Sequence, residues 1–195
     1  MNLIRRLNAG LAVTAMVLTA AVSPTMAAAA APSAAPPIGT GRLVQLRSLG
    51  GDSEARVMNQ RGDILGNSVN KADNYRTVVW WHGRTAPAVV PVGAASAAAI
   101  SDNGHAAGRV YKTGKLFVWH PGTAVKYLRP QAGTEPEVTG VNDHDRVIGT
   151  THYENGTYRA FVWQGGRYRL LPVPKGANST AVAVNNRGQI IGTTQ

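Results

Sequence analysis

The stretch Ala181 to Gly192, AVAVNNRGQIIG, decides how the rest of the chain is read. Four small apolar residues lead into Asn185-Asn-Arg-Gly188, and two isoleucines and a glycine follow. Asn and Gly tolerate the positive φ of a tight turn, so the stretch predicts a strand, a hairpin turn and a second strand. The same pattern stands three times before it. These copies are Ala55 to Gly66 (ARVMNQRGDILG), Ala97 to Gly108 (AAAISDNGHAAG) and Val138 to Gly149 (VTGVNDHDRVIG). The closing glycines, Gly66, Gly108, Gly149 and Gly192, are 42, 41 and 43 residues apart. A period this regular is the signature of a repeat architecture.

Two further blocks recur. One is Val78-Val-Trp-Trp81, Leu116-Phe-Val-Trp119 and Ala160-Phe-Val-Trp163, in which Trp81, Trp119 and Trp163 are taken as the repeat tryptophans and Trp80 as having no equivalent. The other is short and apolar: Val89 to Val92, Val125 to Leu128, and Tyr168 to Leu171. Each copy therefore predicts four short strands, with repeats at about 55–92, 97–130 and 138–173 and a partial one at 181–195. Adjacent apolar residues such as Ile64-Leu65 and Val147-Ile148 point to opposite faces of a strand. Both faces are then buried, which excludes a lone sheet with one wet side and favours stacked small sheets. Val57, Ala99, Gly140 and Ala183 are small, as suits the innermost strand of a propeller blade. The expectation is an all-β, propeller-like domain of about four blades, with Arg42 to Leu46 as the strand that completes the fourth from the other terminus. A β-trefoil is the rival.

Leu49-Gly-Gly51, then Ala55, Asn59, Gly62 and Gly66, then Arg159-Ala-Phe-Val-Trp163 resemble the HAF repeats of secreted bacterial proteins. The resemblance covers residues 41–195. It departs from the pattern at Thr77-Val-Val-Trp80-Trp81, at Ser101 and at Asp145, and Arg159 stands where the pattern has His. It implies an extracellular repeat module and no particular chemistry.

Composition narrows the classes. The 195 residues include no cysteine, which excludes a disulfide scaffold, a thiol catalyst and a cysteine zinc site. Twenty Lys and Arg against ten Asp and Glu give a net charge of +10, which favours anionic partners. Arg5 and Arg6, the uncharged run Leu11 to Val22 and the alanines Ala27 to Ala31 have the three-part pattern of a secretory signal. Residues 1–30 are read as that signal, 31–40 as a Pro/Ala-rich linker and 41–195 as the β-repeat domain. The apolar run is short for a membrane span, so no anchor is expected after cleavage.

Catalytic motifs do not appear. There is no Gly-x-Ser-x-Gly elbow, no phosphate-binding Gly-Lys-Ser/Thr loop and no zinc-protease histidine pair. His82, His105, His120, His144 and His152 are scattered, and no metal or cofactor is expected. Asp143 and Asp145 fall on hairpin-turn positions, and turn chemistry accounts for them. The repeat tryptophans are read as core. The binding candidates are the loops between second and third strands, each with Tyr beside a cation: Tyr75-Arg76, Tyr111-Lys112 and Tyr158-Arg159. Tyrosine faces and cations suit an anionic polymer; the same tyrosines also suit the opening of a strand. The expected function is a secreted, non-enzymatic module for an anionic polysaccharide or cell-envelope polymer, or for an extracellular protein. The alternative is a secreted carbohydrate-active hydrolase or lyase. Export and the lack of a binding motif argue against nucleic acid.

Overall fold

The computed structural model describes residues 43–129 and 134–195. The signal, the linker and Arg42 lie outside the described residues. The domain is all-β and consists of four small antiparallel sheets, none of them closed. The first holds β1 (Gly50–Met58), β2 (Ile64–Asn70), β3 (Tyr75–Trp80) and β4 (Ala88–Val89). The second holds β5 (Ala95–Ile100), β6 (Ala106–Val110), β7 (Leu116–Trp119) and β8 (Lys126–Leu128). The third holds β9 (Thr134–Val141), β10 (Val147–Tyr153), β11 (Tyr158–Gln164) and β12 (Arg167–Leu170), and the fourth β13 (Ser179–Val184) and β14 (Ile190–Thr194). Every strand pairs with its sequence neighbour, so each 42-residue copy makes its own meander. No helix among the described residues is long and apolar enough to cross a membrane.

The repeated glycine has a steric cause. In all four copies the first strand carries a register shift, beside Arg56, Ala98, Thr139 and Val182. The shift presses a first-strand carbonyl onto the facing glycine. A Cβ at Gly66, Gly108, Gly149 or Gly192 would land on the carbonyl oxygen of Glu54, Ser96, Glu137 or Thr180. Bulges of this kind twist a strand, and only glycine lets the backbones approach so closely.

Side chains from adjacent sheets interlock. Leu65 and Val79 of the first sheet pack on Ala95, Ala97, Ile100, Phe117 and Trp119 of the second. Ala107, Val118 and Leu128 pack on Val138, Val141, Phe161 and Trp163 of the third. Ile148 and Ala160 pack on Ala181, Val184 and Ile190 of the fourth. Both faces of β2, β6, β7 and β10 are accordingly buried, as their paired apolar residues predict.

The sheet registers correct the tryptophan assignment. Trp119 lies opposite Ala106 and Trp163 opposite Val147, and the residue opposite Ile64 is Trp80. Trp80, fully buried, is the repeat tryptophan. Trp81 follows the strand and covers Gly104 of the next copy, sharing its repeat position with His120 and Gln164. Adjacent identical residues hid this one-residue offset. The spare strand at Arg42 to Leu46 is also corrected. Residues 43–48 form no strand. Their bonds go to the first sheet, where Arg47 N donates to Thr85 O and Trp80 Nε1 donates to Arg47 O at 2.9 Å.

The turns between first and second strands link the copies. Their fourth residue has positive φ throughout: Gly62 at 84°, Gly104 at 80°, Asp145 at 57° and Gly188 at 82°. Asn59 Oδ1 accepts from the N–H groups of Arg61 and Asp63, and Asn142 Oδ1 from those of His144 and Arg146. The amide nitrogen of each then reaches the next copy. Asn59 Nδ2 donates to Ser101 O at 2.8 Å, and Asn142 Nδ2 donates to Asn185 O at 2.9 Å. Replacing Asn142 with Ala strips two turn N–H groups and one carbonyl of their partner. We expect Asn142→Ala to lose about 1–3 kcal/mol in urea denaturation. Asn185→Ala, on an exposed turn, should lose less than half of that.

Candidate functional site

Two clefts open where the first strands converge, one toward each end of the sheets. At the turn end, a cleft of about 400 Å³ takes lining residues from all four copies, among them Met58, Asn59, Ser101, Asn142 and Asn185. These polar side chains are the set a hydrolase would draw on. They are already engaged. Asn59 Nδ2 also donates to Asp63 Oδ2, Ser101 Oγ accepts from His105 N, and Asn185 Nδ2 donates to Gln189 Oε1. No pair of carboxylates stands apart from the turn bonds here. Asp102 accepts from Gln60 N and Asp143 from Asn103 N.

At the other end, a cleft of about 520 Å³ is lined by Arg56 and Val57 of β1, Ser96 to Ala98 of β5, Arg109 of β6, Tyr111, and Glu137 and Val138 of β9. Arg56 is the extra residue of its bulge, which turns a charged side chain out of the strand at this point. Arg109 follows Gly108. The matching positions hold Asn67 and Thr150, both buried and uncharged, so Arg109 is a cation in a place built for short polar groups. Its Nε is buried with no hydrogen-bond partner. A buried, unsatisfied guanidinium N–H is a costly group whose cost an anionic acceptor would remove.

The Tyr-cation pairs divide between this cleft and elsewhere. The rings of Tyr75 and Tyr111 lie 5.8 Å apart at 54°, beside the cleft. Tyr75 opens β3 and Tyr158 opens β11, as the strand-opening reading has it, whereas Tyr111 lies in the turn. Tyr158 belongs to a different cluster: its ring is 5.9 Å from that of His152, and its hydroxyl donates to Gln195 Oε1 at 3.1 Å. Arg76 and Arg159 are half-buried in their strands, and Arg159 Nε has no partner. Lys112 is exposed. Tyr75 and Tyr111 thus meet each other, while Tyr158 meets His152 and Gln195. Arg56, Arg109 and Glu137 were missed in the sequence, although Arg109 against Asn67 and Thr150 was a visible departure from the repeat.

Burial pushes the Tyr75 hydroxyl up, and its hydrogen bond and charge coupling with Tyr111 and the nearby Glu54 add to this; Arg56 opposes. The result is a pKa of about 12 against an ordinary 10.0. With the Asn67 amide oriented to satisfy its neighbours, its oxygen accepts from the Tyr75 hydroxyl at 2.9 Å.

One polar cluster bridges the second and third sheets. His105 Nδ1 is 2.6 Å from Asp145 Oδ1, Lys126 Nζ bonds Asp145 Oδ2, and the His105 and His120 rings stack 4.5 Å apart. Burial raises the Asp145 carboxyl, but the bonds from Lys126 and His105 outweigh it and hold the pKa below its ordinary value. His105, His120 and Asp145 present ligand atoms within 4.8 Å of one another. The ammonium of Lys126 pairs with the same carboxylate from the second sheet. The cluster therefore acts as an ion-paired tie between sheets.

No family model matches the chain, and no curated protein matches it.

The raised Tyr75 value carries a sign. A group harder to ionise when folded contributes stability below its unfolded pKa and loses it as pH rises through the folded value. We expect the tyrosinate absorbance titration to show one hydroxyl ionising near pH 12. Tyr75→Phe should remove that step and flatten the fall in stability between pH 10 and that point.

Proposed function

We propose that this protein is a secreted, non-enzymatic binding module for an anionic polymer, and that its four sheets are successive blades of a β-propeller of the HAF-repeat kind. The propeller reading is supported by pairing that stays within each copy, since a trefoil shares its barrel among copies. It is supported again by a cleft at the turn end that draws the same position from all four copies. The secretory pattern of residues 1–30 supports export.

The observation that carries the binding reading is Arg109. Its Nε is buried without a partner, and the residue lines a cleft that also holds Arg56 and the exposed Tyr111. Two guanidinium groups give a carboxylate bidentate partners, and an exposed tyrosine face gives a sugar ring something to stack on. Glu137 in the same cleft disfavours dense anionic charge such as polyphosphate and leaves room for a sparsely charged chain bearing hydroxyls. The enzyme alternative lacks a disengaged acid–base pair in either cleft.

The test is binding of polygalacturonate, with neutral dextran as control. Affinity should fall as salt rises to about 0.5 M, where screening reaches within a few ångströms. Arg109→Gln should weaken binding about tenfold or more, the worth of a charge-assisted hydrogen bond. Lys112→Gln, outside the cleft lining, should change it little. Equal retention of Arg109→Gln and the native protein would exclude this cleft.

A further inference from the structure

The three junctions between sheets obey one rule, and among the described residues the rule leaves two surfaces bare. At each junction the second of the paired apolar residues on the second strand points toward the following sheet. Leu65, Ala107 and Ile148 occupy that position and are each 0% exposed. Ile191 is the fourth member of the series and is 65% exposed. The last residue of the first strand packs on the preceding sheet in the same way. Ile100 and Val141 are each 8% exposed, while Met58, their counterpart at the head of the series, is 64% exposed. β1 is exposed along nearly its whole length and β14 likewise. Residues 47–49 cover part of the first sheet through the bonds of Arg47 and Leu49, but they leave β1 and its turn open.

From these facts we propose that the Ile191 face of the fourth sheet docks the β1 face of a second copy of this chain, head to tail. The two bare surfaces are the two halves of a junction that the chain already makes three times, so each is shaped for the other. The polar links point the same way. At the first and third internal junctions the first turn residue gives its amide to the carbonyl of its counterpart in the following copy: Asn59 to Ser101 and Asn142 to Asn185. Asn185 instead turns its amide to its own Gln189. In the docked pair it donates to the carbonyl of Asn59 of the second copy. The side chain of Gln60 there accepts from Asn186 N, the role that Asp102 plays toward Gln60 and Asn186 toward Asp143. The inference does not depend on what the Arg109 cleft binds.

A head-to-tail contact uses a different surface on each partner, and this gives a decisive experiment. Light scattering after size exclusion on the full chain should show mass rising with concentration, beyond a single chain. Ile191→Glu and Met58→Glu sit on exposed positions and should fold, which circular dichroism checks. Each alone should hold the mass at one chain. Mixed in equal amounts, they should recover a two-chain species and nothing larger, because together they offer one intact surface of each kind. A native protein that stays at one chain at every concentration overturns the proposal. Variants that associate as the native protein does, or a mixture that fails to recover, overturn it as well.

Discussion

The asparagine that opens three of the four hairpin turns is the constraint on which the rest depends. Its oxygen closes its own turn and its nitrogen reaches the next copy, as Asn59 and Asn142 both do. A single side chain thus sets local and long-range geometry together. A turn that opened would also release the sheet beyond it. The facing apolar layers supply most of the driving force, but they are non-directional. The amide fixes which strand end meets which.

The second copy shows what happens when that residue changes. Ser101 closes its turn through Oγ but has no amide to extend. The junction after it is tied by other means. Asn103 N donates to Asp143, and Asp145 binds His105 and Lys126 of the second sheet. Asp145 holds a positive φ where the other copies have glycine, a conformation with a modest cost for a residue bearing a Cβ. Its two bonds across the junction offset that cost. The departures at Ser101 and Asp145 are two sides of one exchange.

The candidate site follows from a different kind of departure. The bulge beside each repeated glycine turns one side chain outward, and in the first copy that residue is Arg56. The position after the glycine is short and polar in the first and third copies and is Arg109 in the second. The regular frame brings these two irregular residues to one cleft. Tyr111 joins them because its turn lies at the same end, with Tyr75 beside it.

Much of the frame was legible from residues alone. The glycine period, the Asn-Gly turns and the paired apolar residues of the second strands specify four copies, four strands in the complete ones, and burial on both faces. Periodicity of two and of about 42 is written in residue type, because side-chain alternation and repeat length are local properties. Register is not. Trp80 and Trp81 are indistinguishable in sequence, and only the pairing of Trp80 with Ile64 separates them. The separation of Tyr158 from Tyr75 and Tyr111, the orphaned Nε of Arg109 and the bareness of Ile191 are likewise invisible in any one copy. They depend on which sheet lies next to which, and that is a contact between residues some 40 positions apart that no local pattern encodes.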